Sequence, residues 1–123
     1  MEDKNCVFCK MSRKEISLKT IYENDNFFSF FDANPKVEDH ALIVPKKHFV
    51  NTLDMPSSLG SELLDAIKNT FSIIAKKDKN VEGFNLIQNN EKAAGQVVMH
   101  SHYHVLPRRK NDGRSIHIDG SKF

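Results

Sequence analysis

Tryptophan is absent from this 123-residue chain and cysteine nearly so, with Cys6 and Cys9 beside nine phenylalanines. The two thiols form a single C-x-x-C pair, which reads as a metal clip or a redox pair rather than a structural disulfide. Apolar runs are short, none approaching the roughly 18 residues of a membrane span. Met1 to Asn5 are polar with no apolar stretch behind them, so no secretory signal is expected and the chain reads as cytoplasmic, with no membrane partner. An excess of one charge is also missing. Eighteen Lys and Arg against 16 Asp and Glu leave a net +2, too balanced for a generic nucleic-acid binder yet compatible with a phosphorylated ligand. The common catalytic signatures are lacking too: no G-x-x-x-x-G-K-[ST] phosphate loop, no G-x-S-x-G elbow, no H-E-x-x-H and no paired EF-hand aspartates.

What remains is a composition that closes one core. Hydrophobic residues make up 39% and charged residues 28%, with no repeat, linker or low-complexity segment, so a single domain over residues 1–123 is expected and disorder is not. Thr20 to Glu23 and Phe27 to Asp32 are β-branched or aromatic runs around Asn24-Asp25-Asn26, the pattern of a hairpin. His40 to Pro45 is almost continuously apolar and short, which predicts a buried strand with His40 at its start and His48 beyond its end. Leu59, Leu63, Leu64, Ile67, Phe71, Ile74 and Ala75 recur at three- and four-residue steps behind Ser57 and Ser58. Glu62 and Asp65 come early and Lys76 and Lys77 late, so one long helix capped by a serine is predicted. A shorter helix is expected over Cys9 to Glu15, and strands over Phe84 to Gln88 and Val97 to Pro107. The order predicts an α+β domain with a largely antiparallel sheet of about five strands.

Three of the six histidines, His100, His102 and His104, occupy alternate positions. In a strand they share one face at spacings of about 6.5 to 7 Å. Met99, Tyr103 and Val105 take the other face and pack the core, so the histidines are not needed to make the strand. A neutral imidazole is a competent nucleophile near neutral pH, and a histidine cluster beside a small polar loop suits attack on phosphorus. Residues Asn89 to Gln96 form such a loop, where Gly95 allows close backbone approach to a ligand.

Read together, His100-Ser101-His102-Tyr103-His104-Val105-Leu106 and His40-Ala41-Leu42-Ile43-Val44-Pro45-Lys46-Lys47-His48 resemble the two hallmarks of the histidine-triad (HIT) family of nucleotide hydrolases and transferases, in particular its small Hint-like and bacterial members. The similarity runs in order from about Cys6 to Arg108. It implies an antiparallel sheet with one long helix, paired into a homodimer with a continuous sheet. It also implies attack by His102 on the α-phosphate of a purine nucleotide derivative, through a covalent nucleotidyl-histidine. On that pattern His104 lies beside the phosphate, the His100 carbonyl orients His102, and His40 is a further active-site histidine. Asp32 holds the ribose hydroxyls, Asn89, Gln96 and the Val97 amide contact phosphate, and Val7, Phe8, Met11 and Phe30 surround the base. Many Hint-like members carry Ser or Thr where this chain has Val97, so a hydroxyl contact to the leaving group is missing.

A tetrahedral zinc site wants four ligands, and Cys6 and Cys9 supply two. Spacing alone leaves the other two open among His40, His48, His100, His104 and His117. The resemblance implies His48 and His100, hence a structural Zn²⁺, with the His100 carbonyl still available to His102. The implied activity is hydrolysis of purine nucleoside phosphoramidates or related nucleotidyl conjugates. The alternatives are hydrolysis of dinucleoside polyphosphates and a non-catalytic, zinc-stabilised nucleotide-binding or scaffold protein. A DNA-repair role would call for a further DNA-binding zinc module, for which the chain to Phe123 leaves no room. Arg108, Arg109, Lys110 and Arg114 read as a basic, solvated C-terminal tail.

Overall fold

The structure is a computed structural model and describes residues 6–112. Five strands form one sheet: β1 (Tyr22–Glu23), β2 (Phe27–Phe31), β3 (Ala41–Pro45), β4 (Val81–Ile87) and β5 (Tyr103–Arg109). Every pairing is antiparallel and the strand order is β1-β2-β3-β5-β4. The fold is therefore the α+β arrangement expected. Its helices are α1 (Val7–Ser12) and α2 (Gly60–Lys77), and no helix among the described residues is long and apolar enough to cross a membrane.

Each face of the sheet carries its own core, and strand alternation sorts residues between them. On one face Phe27, Ala41, Ile43, Tyr103 and Val105 pack against Ala66 and Ile74 of α2. On the other, Phe28, Phe30, Leu42 and Val44 pack against Cys6, Phe8 and Cys9 at α1. Strands β3 and β5 lie between these layers and are buried on both sides, which is why HALIVP reads as an unbroken apolar run. The helix face centres on Ala66, Thr70 and Ile74, flanked by Leu63 and Ile67, while Leu64 is exposed. Thr70 is buried because its hydroxyl donates to Ser29 Oγ on β2 at 2.8 Å.

Boundaries differ from expectation where hydrogen bonds compete locally. Ser57 and Ser58 do not cap α2; they lie in a 3₁₀ turn, Ser57–Leu59, closed by the Leu59 N–H donating to the Pro56 carbonyl. Helix α1 begins earlier than Cys9, because the Cys6 thiol accepts from the Cys9 N–H and caps the first turn. In the first hairpin Asn24 Oδ1 accepts from the Asn26 and Phe27 N–H groups, so only Tyr22 and Glu23 remain as strand. Arg108 and Arg109 are not a free tail. They end β5, Arg108 bonded to Asp112 and Asn85, and Arg109 to Asp78, Asp39 and Glu38. Arg114 and His117 lie outside the described residues.

Candidate active site and metal centre

The final strand starts at Tyr103 rather than Val97. Residues 97–102 are irregular because their polar groups bond to the end of β3 and the segment after it instead of to a ladder: the Ser101 N–H donates to the Phe49 carbonyl at 2.6 Å, and His100 Nε2 to that of Pro45 at 2.9 Å. The expected alternation survives this. Tyr103 and Val105 face α2, whereas His104 sits opposite Leu42 on the other face. The rings of His100 and His102 both pack on Phe8, with centroids 5.6 and 5.3 Å away. Met99, expected in the core, is half-buried.

Hydrogen-bond partners assign the tautomers. His102 Nδ1 lies 2.8 Å from the His100 carbonyl, which can only accept, so Nδ1 carries the proton and Nε2 presents a lone pair. His40 Nδ1 accepts from the Lys36 N–H at 3.0 Å, so its proton is on Nε2, which donates to His104 Nδ1 at 2.9 Å. The proton of neutral His104 is therefore on Nε2. Two rings with centroids 5.2 Å apart thus differ in character, one offering a lone pair and the other an N–H. Asp32 Oδ2 lies 3.6 Å from His40 Nε2, and its side chain is partly exposed just beyond β2.

Burial pushes His40 below its ordinary 6.5, Lys36 acting the same way and Asp32 opposing. Burial also lowers His102, against the pull of the His100 carbonyl and Asp32. Both are neutral when folded at neutral pH, while the unfolded chain takes up protons as the pH drops below the ordinary value. More protons bound in the unfolded state means stability rising with pH. Urea midpoints are therefore expected to fall between about pH 7.5 and about pH 5.5, and His40→Gln to flatten that slope. A slope unchanged in His40→Gln would contradict the assignment of His40.

A second cluster lies against the same segment. His100 Nδ1 is 3.2 Å from Cys6 Sγ and 3.3 Å from Cys9 Sγ, and His48 Nδ1 is 3.2 Å from Cys9 Sγ. The four ligand atoms lie within 4.8 Å of one another. The donor set fits a tetrahedral soft cation: two thiols, two imidazoles, and a His100 whose Nε2–H is held by a carbonyl so that its Nδ1 lone pair faces the sulfurs. The chain thus contains a Cys/His cluster that could hold a metal ion. Asp32, His40 and His104 also converge, but there the lone pair of His40 is committed to Lys36 and its Nε2 bears the proton. Glu38, Asp39 and Asp78 converge on the Arg109 guanidinium instead.

The remaining candidates divide between wall and loop. Phe8 and Phe30 are buried with ring centroids 6.1 Å apart, Met11 packs beside them, and Val7 is exposed. Gly95 has φ 91°, a left-handed turn that admits glycine without penalty. Gln96 turns inward. Its Oε1 accepts from Asn51 Nδ2 at 3.1 Å and the Glu91 N–H at 2.8 Å, and its Nε2 donates to the carbonyls of Val98 and Val50. Asn89 is half-buried, and the Val97 side chain is 82% exposed.

The model of the HIT domain matches residues 13–111. The chain belongs to the HIT family. An uncharacterised HIT-like protein of Methanocaldococcus jannaschii is 36% identical over 111 residues, covering 90% of this chain and 84% of its own length. The adenosine 5'-monophosphoramidase of Candida albicans is 34% identical, covering 85% of this chain and 71% of the relative. The adenylylsulfatase of Arabidopsis thaliana is 36% identical and covers 88% of this chain, which spans only 54% of that longer relative. Among solved structures, a Streptococcus mutans protein superposes with a TM-score of 0.84 at 33% identity, covering 94% of this chain and 73% of the other.

Within this HIT chain, sequence reading finds the histidines but misses the residues that hold them. Asn51 lies outside every motif, and Gln88 and Ser101 lie within a predicted strand and the histidine motif without being singled out, yet Asn51 and Ser101 are buried polar residues bonded across the loops. One clue is available in the sequence: Ser101 is a small polar residue between two histidines in a segment that otherwise reads as strand.

Proposed function

We propose that this HIT protein hydrolyses or transfers at the α-phosphate of purine nucleoside phosphoramidates or related nucleotidyl conjugates, with His102 as nucleophile. The observation that carries this is the bond from His102 Nδ1 to the His100 carbonyl, which directs the Nε2 lone pair of a neutral imidazole away from that carbonyl. Attack by Nε2 forms an N–P bond and breaks the bond from phosphorus to the leaving group. In a phosphoramidate the departing amine takes a proton from solvent, and water then cleaves the N–P bond of the nucleotidyl-His102, releasing the nucleoside monophosphate, returning the neutral imidazole and giving a proton back to solvent. His104, protonated at Nε2 and held by His40, supplies a hydrogen bond to the phosphoryl group. Asp32 takes the ribose hydroxyls, the Asn89–Val97 loop the phosphate, and Val7, Phe8, Met11 and Phe30 the base.

The named relatives support this substrate class, since one is an adenosine 5'-monophosphoramidase and another an adenylylsulfatase. Cys6, Cys9, His48 and His100 would hold a structural Zn²⁺, which when bound ties α1 to the segment carrying the nucleophile. The purified protein is expected to turn over adenosine and guanosine phosphoramidates faster than dinucleoside polyphosphates. Acid-free mass spectrometry of the stalled reaction is expected to find one nucleotidyl group per chain. Turnover of the dinucleotides alone, or binding without turnover, would replace the proposal with one of those activities.

A homodimer completes the proposal. The sheet ends in β1, two residues long, and β4, seven residues long with Leu86 exposed, so β4 is the edge able to pair with a second copy. Sedimentation at micromolar concentration is expected to give about twice 14.1 kDa, and a stable monomer would rule this pairing out.

A further inference from the structure

The peptide unit between His100 and Ser101 is held at both of its polar ends. Its carbonyl accepts from His102 Nδ1 at 2.8 Å, and its N–H donates to the Phe49 carbonyl at 2.6 Å. Such a unit can still tilt about the line joining its two Cα atoms, so its orientation depends on how the flanking residues are anchored. The His100 end is fixed by its ring, which donates to the Pro45 carbonyl and faces the two thiols. The Ser101 end has a separate anchor. Ser101 is 1% exposed, and its hydroxyl accepts from Gln88 Nε2 at 2.8 Å.

Gln88 is well placed to transmit position. It follows β4 directly, one residue beyond Ile87, which pairs with His104 on β5. Its Oε1 accepts from the Thr52 hydroxyl and from Asn90 Nδ2, and the Thr52 N–H in turn donates to Asn90 Oδ1 at 2.9 Å. One amide thus joins the end of β4, the loop after β3 and the serine next to the nucleophile. A buried hydroxyl that loses such a partner keeps its desolvation cost and seeks another bond, moving the backbone with it.

We propose that Gln88 is a positioning residue for the nucleophile, acting through Ser101 to aim the His100 carbonyl that fixes the tautomer and direction of His102. This rests on the reading of His102 as nucleophile, and it identifies a pair, Gln88 and Ser101, that lies outside the proposed nucleotide contacts and metal ligands. The pair is tested by Gln88→Leu, Ser101→Ala, their combination, and Gln88→Glu, whose carboxylate can accept from the Ser101 hydroxyl and retain the Thr52 and Asn90 bonds.

Each apolar single variant is expected to lose about 10- to 100-fold in kcat, the range for partners that orient a reacting side chain. KM is expected to stay within about twofold, because binding contacts remain. The double variant is expected to lose no more than the worse single one, since both cut the same link, and Gln88→Glu to recover most of the rate. Multiplied losses in the double variant, unchanged kcat in both singles, or a change confined to KM would overturn the proposal. Imidazole ¹⁵N spectra provide a readout independent of turnover: His102 is expected as the Nδ1–H tautomer in the parent and as a mixture in Gln88→Leu. An unchanged tautomer overturns the positioning role whatever the enzyme acts on, whereas failure of the substrate panel with a shifted tautomer would count against the proposed reaction alone. Should Gln88→Leu not fold, as judged by circular dichroism, the smaller change Ser101→Ala carries both measurements.

Discussion

Replacing His102 by alanine is expected to reduce turnover by a factor on the order of 10⁴ to 10⁶, as removal of a covalent nucleophile does elsewhere. The fold should survive. His102 is half-buried, and its Nδ1 hydrogen bond runs to a carbonyl of its own segment, so removing the ring frees that carbonyl and takes away one ring packed on Phe8 while leaving the α2 core untouched. Nucleotide affinity is expected to persist as well, since Asp32, Phe8, Phe30 and the loop around Gly95 are untouched. Single-turnover kinetics together with titration of the nucleoside monophosphate separate the two effects. A variant that retains turnover would remove His102 from the mechanism, and one that loses nucleotide binding as completely as turnover would make it a binding residue instead.

Metal removal has the second large effect, and it falls on stability. Purified protein is expected to contain about one zinc per chain, bound by two thiolates and two imidazoles. Cys6→Ala would remove one of the four proposed ligands and, at the same time, the acceptor that caps α1. The stability lost with the metal is roughly 4 kcal/mol wherever free zinc exceeds its Kd by about a thousandfold. The loss is expected to be local at first. The sheet and α2 are held by a separate core of Phe27, Ile43, Ile74, Tyr103 and Val105, whereas Cys6, Phe8 and Cys9 belong to the layer on the opposite face. Elemental analysis and thermal denaturation of Cys6→Ala and His102→Ala test the division: metal retained in the first, or lost from a folded second, would show the histidines wrongly divided between metal and phosphate.

Features with a short-range period could be read from the chain before its structure. The steps from Leu63 to Ile74 placed α2, and alternation placed His104 opposite Tyr103 and Val105 even though the regular strand begins only at Tyr103. His100 and Ser101 follow a different rule, because they bond to the carbonyls of Pro45 and Phe49, more than 50 positions away. No local pattern announces such partners. The C-x-x-C pair marked half of the metal cluster, but distance in sequence hid the other half: bare spacing could not choose His48 and His100 from five histidines, and only the resemblance could. Thr70 was hidden differently. A polar residue within an apolar helix face looks like a flaw until Ser29 is found opposite it.

The two-sided packing of β5 limits how this segment can vary in length. Side chains alternate strictly there, so an insertion or deletion of one residue between His100 and Tyr103 would exchange the faces of everything beyond it or force a bulge. Tyr103 and Val105 would leave the α2 core as His104 left His40, so packing and chemistry would be lost in the same event. Single substitutions remain open to drift, since each alters one face alone. Changes of length in this stretch are instead expected to be tolerated only in pairs of residues or with a compensating bulge, which makes the histidine spacing as much a property of the helix packed behind the sheet as of the chemistry proposed for the face in front of it.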